Sequence, residues 1–236
     1  MKLLRYGPAG AEKPAMLDAD GAIRCLAAVV RDIDGFTLSP AQIAMLQGID
    51  PISLPKIEGN PRIGPCVVRP TNYICIGLNY ADHAAETGAP VPKEPIVFIK
   101  SLGAFCVPND DVMRPRNSKK LDWEVELGIV IGKTARYISE DESFDHVAGY
   151  CVVHDVAERA YQRERGPQWD KGKGCDSFGP VGPWLVTRDE VIDVQRLDLY
   201  LDLNGKRMQT GCTETMIFSV AKIVSYLSQF MTLEPG

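Results

Sequence analysis

The chain is 236 residues long, 45% hydrophobic and 24% charged, with a formal net charge of −5, which leaves room for one large domain or a small one beside a medium one. The acidic balance and the absence of any basic run exclude a nucleic-acid backbone as partner, and no apolar run reaches the about 18 residues that a membrane span needs. Seven cysteines, at 25, 66, 75, 106, 151, 175 and 212, include no C-x-x-C pair, so zinc and dithiol motifs are excluded and a cytoplasmic protein with reduced thiols is expected.

Residues 2–6 and 14–17 read as short strands, with a turn at 18–21 leading to a third at 22–26. Ser39-Pro40 predicts a helix start, Ser at the N-cap and Pro in the first turn. Prolines 51, 55, 61, 65 and 70 then interrupt every periodic pattern, so residues 50–70 read as an arm or linker. A boundary here divides a small β-rich cap, residues 1–65, from a larger domain, 66–236.

Residues 72–76 read as a strand ending at Gly77, and 80–86 as two helical turns with His83 and Glu86 on one face. A carboxylate beside an imidazole fixes its tautomer and raises its basicity, as a water-activating base requires. A surface His–Glu pair is the plain alternative. After another strand at 95–100 comes the stretch 121–132, Leu-Asp-Trp-Glu-Val-Glu-Leu-Gly-Ile-Val-Ile-Gly. It reads as a single strand, so Glu124 and Glu126 share a face. Two carboxylates side by side near an apolar run repel, and desolvation makes each worse. Either one is protonated, or the face is wet, or a hard cation such as Mg²⁺, with Mn²⁺ or Ca²⁺ as alternatives, sits between them.

The apolar strand 147–153 ends in His154-Asp155, and 156–165 reads as a helix. Asp155 either caps that helix or is a third ligand delivered from a strand end. Arg159 and Gln162 follow on the same helical face, where a guanidinium and an amide suit a substrate carboxylate. Residues 166–182 are rich in glycine but lack the phosphate-loop pattern, and Lys173 is the lysine placed to reach a site as an electrophile. Strand 197–203, Asn204-Gly205 and 206–209 form a hairpin signal. Ser219 caps a last helix with Val220, Ile223, Val224, Leu227 and Phe230 inward.

Five motifs, in this order, carry a resemblance: Gly77-Leu78-Asn79-Tyr80-x-x-His83-x-x-Glu86, Asp122-Trp123-Glu124-x-Glu126-Leu127-Gly128, His154-Asp155-x-x-x-Arg159-x-x-Gln162, Gly172-Lys173-Gly174 and Met216-Ile217-Phe218-Ser219. Over roughly residues 65–236 the chain resembles the fumarylacetoacetate hydrolase family. The resemblance implies an α+β fold, a mixed β-sheet roll with few helices and a small N-terminal β-rich domain, assembled as a homodimer. It implies Glu124, Glu126 and Asp155 as ligands of Mg²⁺, His83 and Glu86 as a water-activating dyad, and Lys173 as the group that meets developing negative charge. Arg159, Gln162 and Thr213 would line the substrate pocket.

The activity so implied is hydrolysis of a carbon–carbon bond in a small 2,4-dioxo acid of the acylpyruvate kind. Ureidoglycolate lyase, 2-oxo acid decarboxylase, hydroxy-dienoate isomerase and a catalytically idle metal-binding protein are the alternatives. The chain departs from the family at His154, where most relatives carry Asn, and at Ala157, where they carry Ser. Relatives also continue past the position of Gly236 into a strand and a Thr-Gly-Thr-Pro loop that closes the pocket, so a missing pocket wall is expected here.

Overall fold

Strands β1 (Lys2–Tyr6), β2 (Lys13–Leu17) and β3 (Ile23–Cys25) form an antiparallel meander. The structure is a computed structural model and describes residues 1–236. Asp18 makes the β2–β3 turn: its Oδ1 accepts the Ala22 amide at 2.8 Å, and its Oδ2 pairs with Arg24 Nε at 2.7 Å. Helix α1 (Pro40–Gln47) starts where expected, but Ser39 does not cap it; its Oγ donates to the Phe36 carbonyl. The proline-rich segment pairs with the meander only as isolated β-bridges, Lys56 to Arg24 and Ile63 to Tyr6, because proline has no amide to sustain a ladder.

Next come β4 (Ile74–Gly77), α2 (Ala81–Thr87), β5 (Ile96–Ile99), β6 (Phe105–Cys106), β7 (Leu121–Asp122), β8 (Val125–Ile131), β9 (Val147–His154), β10 (Ala157–Glu158) and the short α3 (Arg159–Arg163). The remainder is α4 (Asp170–Lys173), β11 (Gly179–Pro180), β12 (Leu185–Thr187), the hairpin β13 (Asp198–Leu203) and β14 (Lys206–Cys212), and α5 (Val220–Ser228). The main sheet runs β3-β2-β1-β12-β9-β8, so the N-terminal meander extends the same sheet as the strands that follow it. Smaller two-stranded ladders complete an α+β fold with few helices. No helix is long and apolar enough to cross a membrane.

Strand β8 is an edge of that sheet and feeds two cores. Val130 belongs to one with Leu3, Met16, Leu38, Cys151 and Leu185. Leu127, Ile129 and Ile131 pack on the other, which holds Tyr150, Val220, Ile223, Val224 and Leu227. This period-2 split puts Glu126 on the Gly128 and Val130 side. Helix α5 is capped as expected, Ser219 Oγ accepting the Lys222 amide, and its apolar stripe is buried. Phe230 is the exception: it lies past the helix end, 66% exposed, and meets Tyr226 edge to face.

Two expected elements are divided. The strand read across 121–132 breaks at Trp123–Glu124 because its halves take different partners: β7 pairs with β10, β8 with β9. The helix read across 156–165 begins only at Arg159. Residues 157–158 are committed to β7, and the Glu158 carboxylate caps the helix by accepting the Ala160 amide. Asp155 is therefore not a cap.

Candidate active site

A cleft of about 510 Å³ opens between the β4–α2 turn, the β7–β8 break, the end of β9, α3–α4 and the outer hairpin. It is lined by His83, Glu86, Glu124, Glu126, Asp155, Arg159, Gln162 and Lys173, eight of the nine side chains singled out from the sequence. The β7–β8 break matters here. With Glu124 outside either ladder, its carbonyl accepts the Asp155 amide at 2.8 Å, so the two acids are tied through the backbone.

Lys173 reaches the acids from α4. Its helix lies so close to α3 that a Cβ on Gly172 would stand 2.5 Å from the Gln162 nitrogen and 2.6 Å from the Glu158 carbonyl oxygen; only glycine allows that approach. The Lys173 ammonium bridges Glu124 Oε2 and Asp155 Oδ2, the latter at 2.7 Å. Asp155 Oδ1 in turn lies 2.5 Å from Nζ of Lys100, an ion pair lacking hydrogen-bond alignment. Lys100 is fully buried and donates to the carbonyls of Val156 and Lys173 at 3.1 and 2.6 Å. Burial would push the Asp155 carboxyl up, but Lys173 and Lys100 outweigh it and hold it low. The same pairing, with Asp155 and Glu124, raises Lys173 against the lowering effect of its own burial.

Arg159 is fully engaged. Its guanidinium donates to Asp122 Oδ2 at 2.7 Å, Glu124 Oε1 at 2.5 Å and Gln162 Oε1 at 2.9 Å. It therefore fixes Glu124 as well as bordering the cleft.

Glu126 takes part in none of these ion pairs. Burial first, then repulsion from Glu124 and Asp155, push its carboxyl up to about 8, with Lys173 opposing. Because the folded value lies above the unfolded one of about 4.3, the folded chain holds the extra proton. Its stability should then be highest below about pH 4.3 on this group's account and decline as pH rises towards about 8. Chemical denaturation of the cation-free protein across that range checks this, with Glu126→Gln expected to flatten the decline.

The three carboxylates suit a hard divalent cation in chemistry: they are all oxygen donors, share one cleft, and leave Glu126 short of positive charge. As they stand, no three acidic, histidine or cysteine side chains are gathered into a metal cage. Glu124 and Asp155 converge on Lys173 instead, and Glu126 stands outside that pairing.

His83 and Glu86 share a face of α2, yet Nδ1 and Oε2 are 3.8 Å apart, beyond hydrogen-bond reach, and both are well exposed. Thr213 is a correction. Its side chain is buried at the base of the hairpin, where Oγ1 accepts the Leu197 amide and donates to the Val194 carbonyl; Thr210 of β14 lines the cleft in its place. Lys100 and Asp122 are the site residues that sequence reasoning missed. The signal for Lys100 was a lysine closing the apolar run 96–99, where a solvated side chain is out of place.

The family described as fumarylacetoacetate (FAA) hydrolase C-terminal matches residues 72–236. A protein of Burkholderia ambifaria (strain MC40-6), named as a hydrolase, is 61% identical over 236 residues, all of this chain and 84% of the relative. Among solved structures, the fumarylacetoacetate hydrolase of the psychrophile Exiguobacterium antarcticum superposes with a TM-score of 0.84 at 30% identity, over 100% of this chain and 83% of that one. A 2-hydroxyhepta-2,4-diene-1,7-dioate isomerase from Mycobacterium marinum gives 0.73 at 29% identity, over 100% and 84%. With the family's match spanning residues 72–236 and a relative 61% identical over the whole chain, the chain belongs to the fumarylacetoacetate hydrolase family.

Proposed function

We propose that the protein hydrolyses a carbon–carbon bond in a small 2,4-dioxo acid, with a divalent cation, Mg²⁺ for preference, held by Glu124, Glu126 and Asp155. The observation that carries this reading is the buried Lys173 ammonium between Glu124 and Asp155, with Glu126 beside them and electrostatically unsatisfied. A cleft so built tolerates concentrated negative charge only with positive charge supplied to it. Bound there, the cation would act as a Lewis acid on the carboxylate and 2-oxo group of the substrate.

His83, at the cleft rim, takes a proton from a water, and Glu86 steadies the resulting imidazolium once the 3.8 Å gap between them tightens. The water oxygen bonds to the distal carbonyl carbon, the adjacent carbon–carbon bond breaks, and its electron pair passes to a pyruvate enolate. Lys173 donates to the oxygen on which that charge appears. When it turns to the substrate, Asp155 remains held by Lys100 and Glu124 by Arg159. Proton return to the enolate carbon yields pyruvate, and the distal half leaves as a second acid. Phe98, Trp123, Trp169 and Met208 offer apolar walls for that distal half.

Similarity to the 2-hydroxyhepta-2,4-diene-1,7-dioate isomerase of Mycobacterium marinum supports a second reading, isomerisation of a hydroxy-dienoate, in which His83 shifts a proton between carbons and no water is consumed. Incubating the protein with an acylpyruvate and with a hydroxy-dienoate, each with Mg²⁺ and after chelation, decides between them. Mg²⁺-dependent pyruvate release is the expected result; diene absorbance shifting without pyruvate supports the second reading, and no cation-dependent turnover of either contradicts both. In the same assay His83→Ala should lower kcat by about 10²–10⁴-fold while leaving cation affinity unchanged.

A further inference from the structure

Both backbone groups of Val125, the residue between the two glutamates, point away from β9 and towards the free edge of β8. Instead of a neighbouring strand they meet one side chain. The Val125 amide donates to Gln209 Oε1 at 2.9 Å, and Gln209 Nε2 donates to the Val125 carbonyl at 3.1 Å. The first bond fixes the peptide plane between Glu124 and Val125, the second the plane between Val125 and Glu126. Orientation of these planes decides where the two glutamate Cα–Cβ bonds point.

Gln209 is carried by the outer hairpin, in which β13 and β14 are joined through Asn204-Gly205, both at positive φ as a tight two-residue turn demands. Leu201 pairs with Gln209 but Asp202 with Arg207, leaving Met208 as the extra residue of a bulge. Bulges re-aim the side chains beside them. Leu199, Met208 and Thr210 of the same hairpin line the cleft, so one amide joins the wall of the pocket to the segment bearing two of its acids.

We propose that Gln209 is a positioning residue, an amide clamp that sets Glu124 and Glu126 for the cation and links their placement to the seating of the hairpin against the substrate. The inference rests on the metal-site reading given above. Gln209 itself borders the cleft, but the role proposed for it runs through the Val125 backbone and not through contact with substrate or cation. A merely structural glutamine would hold the hairpin down without altering how the acids bind.

Gln209→Leu keeps the bulk and removes both hydrogen bonds, and Gln209→Asn keeps the amide but is one methylene too short to span both groups. Gln209 is only half-buried on an exposed hairpin, so the fold should survive, which thermal unfolding verifies. Three readouts are taken on the intact chain: Mn²⁺ affinity by calorimetry, hydrogen exchange at the Val125 amide, and KM and kcat for the acylpyruvate. The proposal expects Mn²⁺ affinity at least tenfold weaker in both variants, faster exchange at Val125, a raised KM and an unchanged midpoint of unfolding. Mn²⁺ affinity within twofold of the unaltered protein, with exchange accelerated, overturns the clamp and leaves the metal site standing. Failure of the unaltered protein to bind Mn²⁺ overturns the metal site and the inference together.

Discussion

Asp155→Asn is expected to abolish cation-dependent turnover and to cost the fold about 3–5 kcal/mol, the usual penalty for stripping one partner from a buried ion pair. The carboxylate is nearly sealed and stands between two ammoniums, Lys100 on Oδ1 and Lys173 on Oδ2. A neutral amide of the same shape leaves both positive charges facing a weak dipole, and Lys100, at 0% exposure, has no route to water. The pH dependence follows. Since Lys173 and Lys100 hold the folded Asp155 carboxyl below its ordinary value, the stability it contributes is present above about pH 4 and is lost as pH falls through the lower folded value. Urea unfolding of both proteins at neutral and acid pH reads the difference. Equal stability at neutral pH, or Mg²⁺-dependent turnover surviving in the variant, would falsify the role assigned to this residue.

Lys173→Met should behave differently. Turnover should drop by about 10²–10³-fold, the loss that follows removal of one preorganised donor to a developing oxyanion. Cation affinity should not fall, because the ammonium now occupying Glu124 and Asp155 competes with any cation for the same oxygens. The pair of variants thus separates two roles that share one carboxylate: Asp155→Asn loses binding and chemistry together, Lys173→Met loses chemistry alone. Weakened Mn²⁺ binding in Lys173→Met would mean that the lysine organises the acids instead of answering the substrate.

Much of this arrangement is legible in the amino-acid sequence. Strong local signals survived: the N-terminal strands, the Asn204-Gly205 hairpin, and the Ser219-capped helix with its buried stripe. Glu124 and Glu126 do face one cleft, although the strand read through them is broken. The break was illegible because nothing local specifies it; β10 captures one half and β9 the other. Asp155 is the cap that the sequence suggests for a helix starting at 156; the β7–β10 ladder delays the helix until Arg159 and makes Glu158 the cap.

Thr213 enters through the family resemblance alone, and no local signal shows that its hydroxyl is consumed by the backbone at Val194 and Leu197. Lys100 and Gln209 exert their influence through long-range backbone contacts, with Val156 and Lys173 in one case and Val125 in the other. No spacing rule reports such contacts.

The proposed chemistry requires one cation held by three acids. Crystals equilibrated with Mn²⁺, measured at a wavelength where manganese scatters anomalously, test it without recourse to any substrate. One strong peak bounded by carboxylate oxygens of Glu124, Glu126 and Asp155, with the Lys173 ammonium drawn off the Glu124–Asp155 bridge, is the predicted result. A peak placed elsewhere, or Lys173 still bridging the two acids with no peak at saturating Mn²⁺, would contradict it.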